Sequence, residues 1–394
     1  VTWANRCVVA VAGVGFSAVE RRTSTPLGRF ADDAAAAAIA DAGLTPDAVD
    51  GLATYPTPPF EGAVARSGED MVDVEHFLQA PWARDVGWYS QAGEGMVTTS
   101  VRDAVHALAA GACTTALVWR AMYVPPGTYG THSTAAAGDA AFAAPYGCAG
   151  AIPWHALAYR RYLELSGGRR EAMAALVVGS RNNANRNPHA VFAGRTMTEQ
   201  DYLGARMIAD PLCLFDCDVP VTAAIALVLT TAERAHDLPR PPVFVAAAAQ
   251  QTTRREHRLH YTMGDHVAAG TPLVDDLWRQ SGLGVGDVGV AQLYDGFAPS
   301  VLYWLEAAGF CGRGEALDFV QDGRIAVDGA LPVNTGGGSL SQGRMHGMGH
   351  LAEAVLQLRR DAGARQVADP RAALVLVGSP MLRGGGVLLT TEQL

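Results

Sequence analysis

A duplicated α/β chain is the fold class that the sequence predicts, on three observations. The same order of strand, helix, strand, glycine-ended helix and strand occurs twice within 394 residues. The apolar runs are continuous rather than alternating, as strands covered on both faces require. A proline-rich stretch at 236–242, His-Asp-Leu-Pro-Arg-Pro-Pro, separates the copies and divides the chain into halves at 1–240 and 241–394.

In the first half, residues 8–14 form an apolar run that reads as a buried strand. Residues 31–42 read as a helix, opened by Thr25-Pro26 and closed by Gly43, because proline suits the first helical turn and glycine the residue after the last. A second apolar run spans 49–55. A helix over 96–110 ends at Gly111 and leads to a strand over 115–119. The runs 174–179 and 224–230 read as further covered strands. Residues 123–202 are rich in Gly, Pro and aromatics and too long for a simple connection, so an insertion at about 121–205 shapes the substrate or contacts a subunit.

The second half opens with a strand over 243–249. Thr271-Pro272 starts a helix through Trp278 that ends at Gly282-Leu283, and a strand follows over 288–293. A helix over 350–361, closed by Gly363, precedes a strand over 372–377.

Composition is globular, with 49% hydrophobic and 18% charged residues. A net charge of −9 speaks against a nucleic-acid groove, which needs a concentrated basic field. The basic clusters Arg169-Arg170 and 254–258 either meet phosphates of a small ligand or are solvated faces. The six cysteines include no CxxC pair, and Cys213 and Cys217 lack a partner pair, so no metal site is expected and reduced thiols of a cytoplasmic protein are. The apolar run at 7–14 is too short for a signal peptide or a membrane span.

Chemistry concentrates in the second half. The strand ending at Gln292-Leu293 runs into Tyr294, Asp295, Gly296 and Phe297, a phenol beside a carboxylate. Asn334-Thr335-Gly336-Gly337-Gly338 follows, then Arg344, His346 and His350. A buried strand ending in reactive groups, next to a glycine cluster that brings backbone close to a ligand, has the make-up of an active-site rim.

These segments, together with the duplicated halves, Ala42-Gly43-Leu44, Asn187-Pro188 and the stretch 211–217, resemble the thiolase superfamily in its lipid-transfer-protein-like (SCP2-thiolase-like) branch. The resemblance covers essentially the whole chain and implies the thiolase fold, a duplicated five-layer αβαβα arrangement. The family's nucleophilic cysteine would fall in Gln91-Ala92-Gly93-Glu94-Gly95-Met96 and its second cysteine near Ser379-Pro380; this chain has neither. The family's active-site histidine falls on Arg344 and its asparagine on Tyr294. Covalent acyl transfer through a thiol therefore has no thiol to use.

The closer resemblance is to aldolases that cleave β-hydroxyacyl-CoA thioesters in steroid side-chain degradation. It implies a homodimer, a DUF35-type OB-fold partner, an acyl-CoA substrate with CoA as part of it, and no redox or metal cofactor. The products would be a ketone or aldehyde and a shorter acyl-CoA such as propionyl-CoA. In those proteins a tyrosine stands at Tyr294, and a second is expected where this chain has Arg344. Retro-aldol cleavage needs a base for the β-hydroxyl and stabilisation of the enolate. On this basis Tyr294 is expected as a phenolate whose pKa is lowered by Arg344 or His346, with Arg344 as the base's helper or as an electrostatic clamp. His346 or His350 returns a proton, and the amides of Gly336, Gly337 and Gly338 serve as oxyanion donors.

Plainer roles stand beside these. Tyr294 is otherwise a strand-end tyrosine, Asp295 a turn-holder instead of a catalytic proton-transfer group, and His346 structural, with Arg344 on a CoA phosphate or paired with Glu94. His155 and His189 line the pocket or are satisfied locally, and Tyr123, Tyr129 and Tyr146 form an apolar wall or an interface. Two other functions compete: a cysteine-independent acyltransferase or condensing enzyme, and a non-catalytic lipid-binding or scaffold subunit.

Overall fold

The computed structural model describes residues 3–57, 66–92, 97–124, 140–148, 150–252 and 265–394. Its strands are β1 (Val9–Phe16), β2 (Gly51–Thr54), β3 (Trp88–Gln91), β4 (Thr115–Tyr123), β5 (Met207–Ala209), β6 (Leu212–Cys213), β7 (Thr222–Thr231), β8 (Val243–Thr252), β9 (Val290–Leu293), β10 (Ala372–Gly378) and β11 (Arg383–Thr390). The main helices are α1 (Leu27–Asp41), α2 (Val97–Ala109), α3 (Ile152–Ser166), α4 (Ala174–Asn185), α5 (His266–Ser281), α6 (Pro299–Ala307) and α7 (Met348–Leu358).

Nine strands form one mixed sheet in the order β3-β2-β4-β7-β1-β8-β11-β10-β9, and β5 pairs with β6 separately. The central join is antiparallel, with Ala10 opposite Phe244 and Val11 opposite Val243. Outward from it both sides repeat one pattern. β1–β7 and β7–β4 are antiparallel and β4–β2 parallel; β8–β11 and β11–β10 are antiparallel and β10–β9 parallel.

Side-chain alternation along these strands sorts the core into layers. On β10, Val375 and Val377 join Val101, Val105, Leu351 and Val355 in the core around α2 and α7. Leu374 and Leu376, the alternate residues, pack instead with Leu273, Leu277, Val301 and Leu305 of α5 and α6. In the first half, Leu117 and Trp119 of β4 face Phe30, Ala34 and Ala38 of α1, whereas Ala116 and Val118 face the central core. The layers therefore run α1, first-half strands, α2 and α7, second-half strands, α5 and α6: the five-layer αβαβα order expected from the sequence. Arg359 ties the layers together, donating to Asp41 Oδ2 at 2.9 Å, the Val11 carbonyl at 2.9 Å and the Pro241 carbonyl at 3.1 Å.

Two elements differ from expectation. Residues 174–179 are the first turns of α4, not a strand, because the run continues with Leu176, Val177, Ser180, Arg181 and Ala184 buried at helical spacing. α5 opens six residues before Pro272, at His266, where Asp265 Oδ1 accepts from the Val267 and Ala268 amides at 3.1 Å each. Pro272 lies inside that helix. The insertion region contains α3 and α4, and among the described residues no helix is long and apolar enough to cross a membrane.

α3, α6 and the short helix Glu199–Leu203 bury phenols. Burial holds the Tyr159, Tyr162, Tyr202 and Tyr303 hydroxyls well above the ordinary phenol range, reinforced by Asp216 near Tyr159 and Tyr202 and by Glu306 near Tyr162. Folding therefore favours the protonated phenol, so this contribution is complete below the unfolded value near pH 10 and is lost as pH rises beyond it. The urea midpoint should fall between pH 10 and 12, each phenol adding a slope of about 1.4 kcal/mol per pH unit. Midpoints that stay level to pH 12 would contradict this burial.

Candidate active site

The end of β9 is locked before it reaches the reactive groups. Asn334, at φ +49°, accepts from the Leu293 amide at 2.7 Å and donates to the Leu293 carbonyl at 2.8 Å, acting as an extra strand partner. Tyr294 continues the pairing, its amide donating to the Leu376 carbonyl at 2.8 Å. Its ring lies over Gly296, where a Cβ would sit 2.9 Å from the phenol oxygen.

Asp295 is fully buried behind this turn. Its Oδ1 accepts from the Ser339 amide at 2.6 Å and faces His350 Nε2 at 3.0 Å, and its Oδ2 accepts from the Leu340 amide at 3.3 Å. The glycine turn is thus held by a carboxylate. Gly338, at φ +57°, has no room for a side chain, since a Cβ would lie 2.1 Å from Asp295 Oδ2. Gly338→Ala should cost more than the ~1–2 kcal/mol of a left-handed residue alone, read by urea denaturation. A loss below that range would mean that Asp295 is not packed against the turn.

The glycine cluster is docked mainly through its carbonyls. Asn187 Nδ2 donates to the Gly336 carbonyl at 2.8 Å and Ser180 Oγ to that of Gly337 at 2.6 Å. The Gly337 amide donates to the Asn334 carbonyl at 2.8 Å. Its N–H is therefore spent within the turn, which corrects the expectation that all three amides face an oxyanion.

Arg344 and His346 stand on the next bend. Gly343, His346 and Gly347 have φ of +138°, +47° and +91°, and the two glycines accommodate a backbone that side chains resist. Arg344 Nε donates to His346 Nε2 at 3.0 Å and lies 3.4 Å from Asp218 Oδ2. The other ring nitrogen of His346, Nδ1, faces Arg120 Nη2 at 3.1 Å. Arg120 comes from β4, is buried, donates also to the Tyr55 carbonyl and Thr57 Oγ1, and covers the Tyr55 ring at 4.6 Å. Tyr55 in turn stacks near His346, ring centres 5.8 Å apart.

Arg344 and His346 are thus brought together with Tyr55, Arg120 and Asp218, none of which sequence reasoning singled out, and Tyr294 lies within electrostatic reach of Arg344, Asp218, Tyr55 and Arg120. Arg120 left a signal, a lone charge inside the apolar run of β4; a strand read only as far as Trp119 stops one residue short of it. Asp295 and His350 point their polar atoms into the glycine turn instead, with the His350 ring centre 5.9 Å from that of Tyr294.

Electrostatics also departs from expectation. Burial raises the Tyr294 phenol well above its usual range; Arg344 opposes this, and Asp218 and Asp295 add to it. A lowered phenolate is therefore not what this site holds: desolvation outweighs the guanidinium. His346 is held well below the usual imidazole range by burial, then by Arg344 and Arg120. At neutral pH it carries no charge.

The other candidates are placed as follows. His155 stacks on Phe297 at 4.0 Å, and burial pushes it down to about 3; His189 stacks on Phe16 at 4.0 Å. Tyr146 is 86% exposed, so it forms no wall in this chain. Glu94, Tyr129 and the basic run 254–258 lie outside the described residues. Ser379 is buried and accepts from the Met381 amide at 3.3 Å. Cys217 Sγ donates to the Cys213 carbonyl at 3.7 Å, and no metal-binding group of His, Cys, Asp and Glu occurs among the described residues.

A duplicated five-layer stack whose second-half turns present a phenol, a guanidinium and an imidazole, joined by a second guanidinium from the first-half strand β4, in a chain without the superfamily's two thiols, defines a thiolase-fold protein adapted to chemistry other than acyl-cysteine transfer. Residues 257–389 match the family described as thiolase C-terminal domain-like. Over 395 residues the chain is 36% identical to the 17-hydroxy-3-oxo-4-pregnene-20-carboxyl-CoA lyase of Mycobacterium tuberculosis, covering 96% of this chain and 98% of that one. It is 34% identical over 391 residues to the steroid side-chain-cleaving aldolase of Thermomonospora curvata, covering 96% and 97%. The solved Ltp2-ChsH2(DUF35) aldolase superposes with a TM-score of 0.86 at 33% identity over 98% of both chains. A monomeric SCP2-thiolase like protein from Mycobacterium smegmatis shares the fold, with a TM-score of 0.70 at 20% identity. The chain belongs to the steroid side-chain-cleaving aldolases of the thiolase superfamily.

Proposed function

We propose that this chain is a carbon–carbon lyase that cleaves a steroid β-hydroxyacyl-CoA by a retro-aldol reaction. The products are a ketone or aldehyde and a shorter acyl-CoA. The observation that carries this reading is the convergence of Tyr294, Arg344, His346, Arg120 and Asp218 in a chain that lacks the thiolase cysteines.

Loss of the β-hydroxyl proton lets the Cα–Cβ bond break, leaving a carbonyl on one fragment and an enolate on the thioester fragment. Asp218, the carboxylate paired with Arg344, is assigned as the base. Tyr294, kept as a phenol, returns a proton to the enolate carbon. Arg344 supplies positive charge for the enolate oxygen, and neutral His346 beside it a hydrogen bond. Asp295, His350 and the Gly336–Gly338 turn act as positioning groups. Because Tyr294 must stay protonated and its pKa is raised, kcat should show no alkaline limb from this residue below pH 10. A limb at pH 8 that disappears in Tyr294→Phe would contradict the assignment.

A DUF35-type partner is part of the proposal, supported by the DUF35 component of the similar Ltp2-ChsH2(DUF35) aldolase. A cytoplasmic homodimer completes it; β3 is an edge strand with Tyr89 59% exposed, which suits a subunit contact. The test is incubation with a steroid β-hydroxyacyl-CoA, with and without a DUF35 protein, scored by ketone release. No release under either condition would overturn the lyase reading.

A further inference from the structure

His346 is approached by two guanidiniums at once. Arg344 Nε–H points at Nε2 at 3.0 Å, and Arg120 Nη2 lies 3.1 Å from Nδ1. A neutral imidazole has one acceptor nitrogen and one N–H, so it satisfies only one of these donors. The other contact sets donor against donor. Charging the ring makes the conflict worse, because both nitrogens then donate.

Which contact yields follows from how each arginine is held. Arg120 is 1% exposed and is pinned by the Tyr55 carbonyl, Thr57 Oγ1 and the face of the Tyr55 ring. Moving it would strip a buried cation of its acceptors. The Arg344 side chain is 26% exposed and has the Asp218 carboxylate within reach at 3.4 Å. It can turn from the imidazole toward that carboxylate.

We propose that Arg120 is a positioning residue that fixes the tautomer of His346: Nδ1 accepts from Arg120, Nε2 carries the proton, and Nε2–H serves with Arg344 as a donor pair for an anionic oxygen. On the retro-aldol reading that oxygen is the thioester enolate, and only its identity rests on that reading. Before substrate arrives, Nε2–H repels Arg344 Nε–H. With Arg344 turned aside, an anionic oxygen accepts from both donors and removes the repulsion. The pair is thereby suited to the charge formed on cleavage rather than to a neutral carbonyl.

The experiment reads the ring nitrogens directly. Long-range 1H–15N spectra of the full chain labelled with 15N-histidine, with His346 assigned by its loss in His346→Gln, report which nitrogen is protonated. The expected result at pH 7.5 is the Nε2–H tautomer, unchanged in Arg344→Met and switched to Nδ1–H in Arg120→Met. An Nδ1–H ring in the unsubstituted chain, or a tautomer that follows Arg344→Met, overturns the proposal. Should Arg120→Met fail to fold, the unsubstituted chain and Arg344→Met still decide. Arg120→Met should also lower kcat by about 10²-fold or more with a smaller change in KM, as loss of an oriented donor does. If no substrate is cleaved at all, the lyase reading fails while the spectra still decide the tautomer.

Discussion

Tyr294→Phe should lower kcat by about 10²–10⁴-fold, the usual contribution of a positioned proton donor, while the protein stays folded. The substitution removes one oxygen from a ring that packs over Gly296 and leaves the backbone bond to Leu376 intact. Asp218, Arg344 and His346 keep one another as partners, so the variant isolates the proton. KM should move little, because the phenol acts on the enolate carbon rather than on the bound ground state. Circular dichroism and the urea midpoint serve as controls. A kcat within a few-fold of the unsubstituted protein would remove Tyr294 from the chemistry and reduce it to a strand-end tyrosine.

Glu353→Ala should cost about 3–5 kcal/mol, the cost of leaving a buried partner charge alone. Glu353 and Arg365 are 2% and 4% exposed and meet through contacts of 3.0 Å from Nε and 2.9 Å from Nη2 to Glu353 Oε2. Glu353 Oε1 also accepts from Thr335 Oγ1 at 2.8 Å and Gln357 Nε2 at 2.9 Å, and Gln292 Nε2 donates to Thr335 Oγ1 at 2.9 Å. The network thus fixes α7 to the strand end and the glycine turn from behind, so activity should fall with stability. Replacing both charges, Glu353→Ala with Arg365→Met, should recover part of the loss, because no unpaired cation remains. Urea denaturation of the three proteins checks this; a single variant that loses under 1 kcal/mol would show that the pair carries little.

Most of the fold was legible because its strands are buried on both faces. Continuous runs such as those of β1, β7, β8 and β10 have few alternatives, and the glycines after α1, α2 and α5 mark helix ends. The run 174–179 misled because five apolar residues and a glycine fit a covered strand or a buried helix equally; only the spacing of the following residues separates them. Pro272 misled because proline favours a first turn, whereas Asp265 caps the helix further upstream.

The candidate site was half legible. Tyr294, Arg344 and His346 sit on turns marked by neighbouring glycines, and the structure groups them. Asp218, Tyr55 and Arg120 come from first-half segments more than seventy residues from that loop in sequence, so only the pairing of β4 with β7 and the return of the chain past Gly296 and Val219 bring them in. The sense of the phenol shift was also hidden, since burial of a side chain is not written in its neighbours.

Cleavage in deuterium oxide, followed by mass spectrometry of both products, tests the lyase chemistry most directly. Retro-aldol cleavage requires one deuterium on the α-carbon of the released acyl-CoA, a carbonyl product that carries no CoA, and no consumption of free CoA. Formation of a second thioester, or dependence on added CoA, would contradict it.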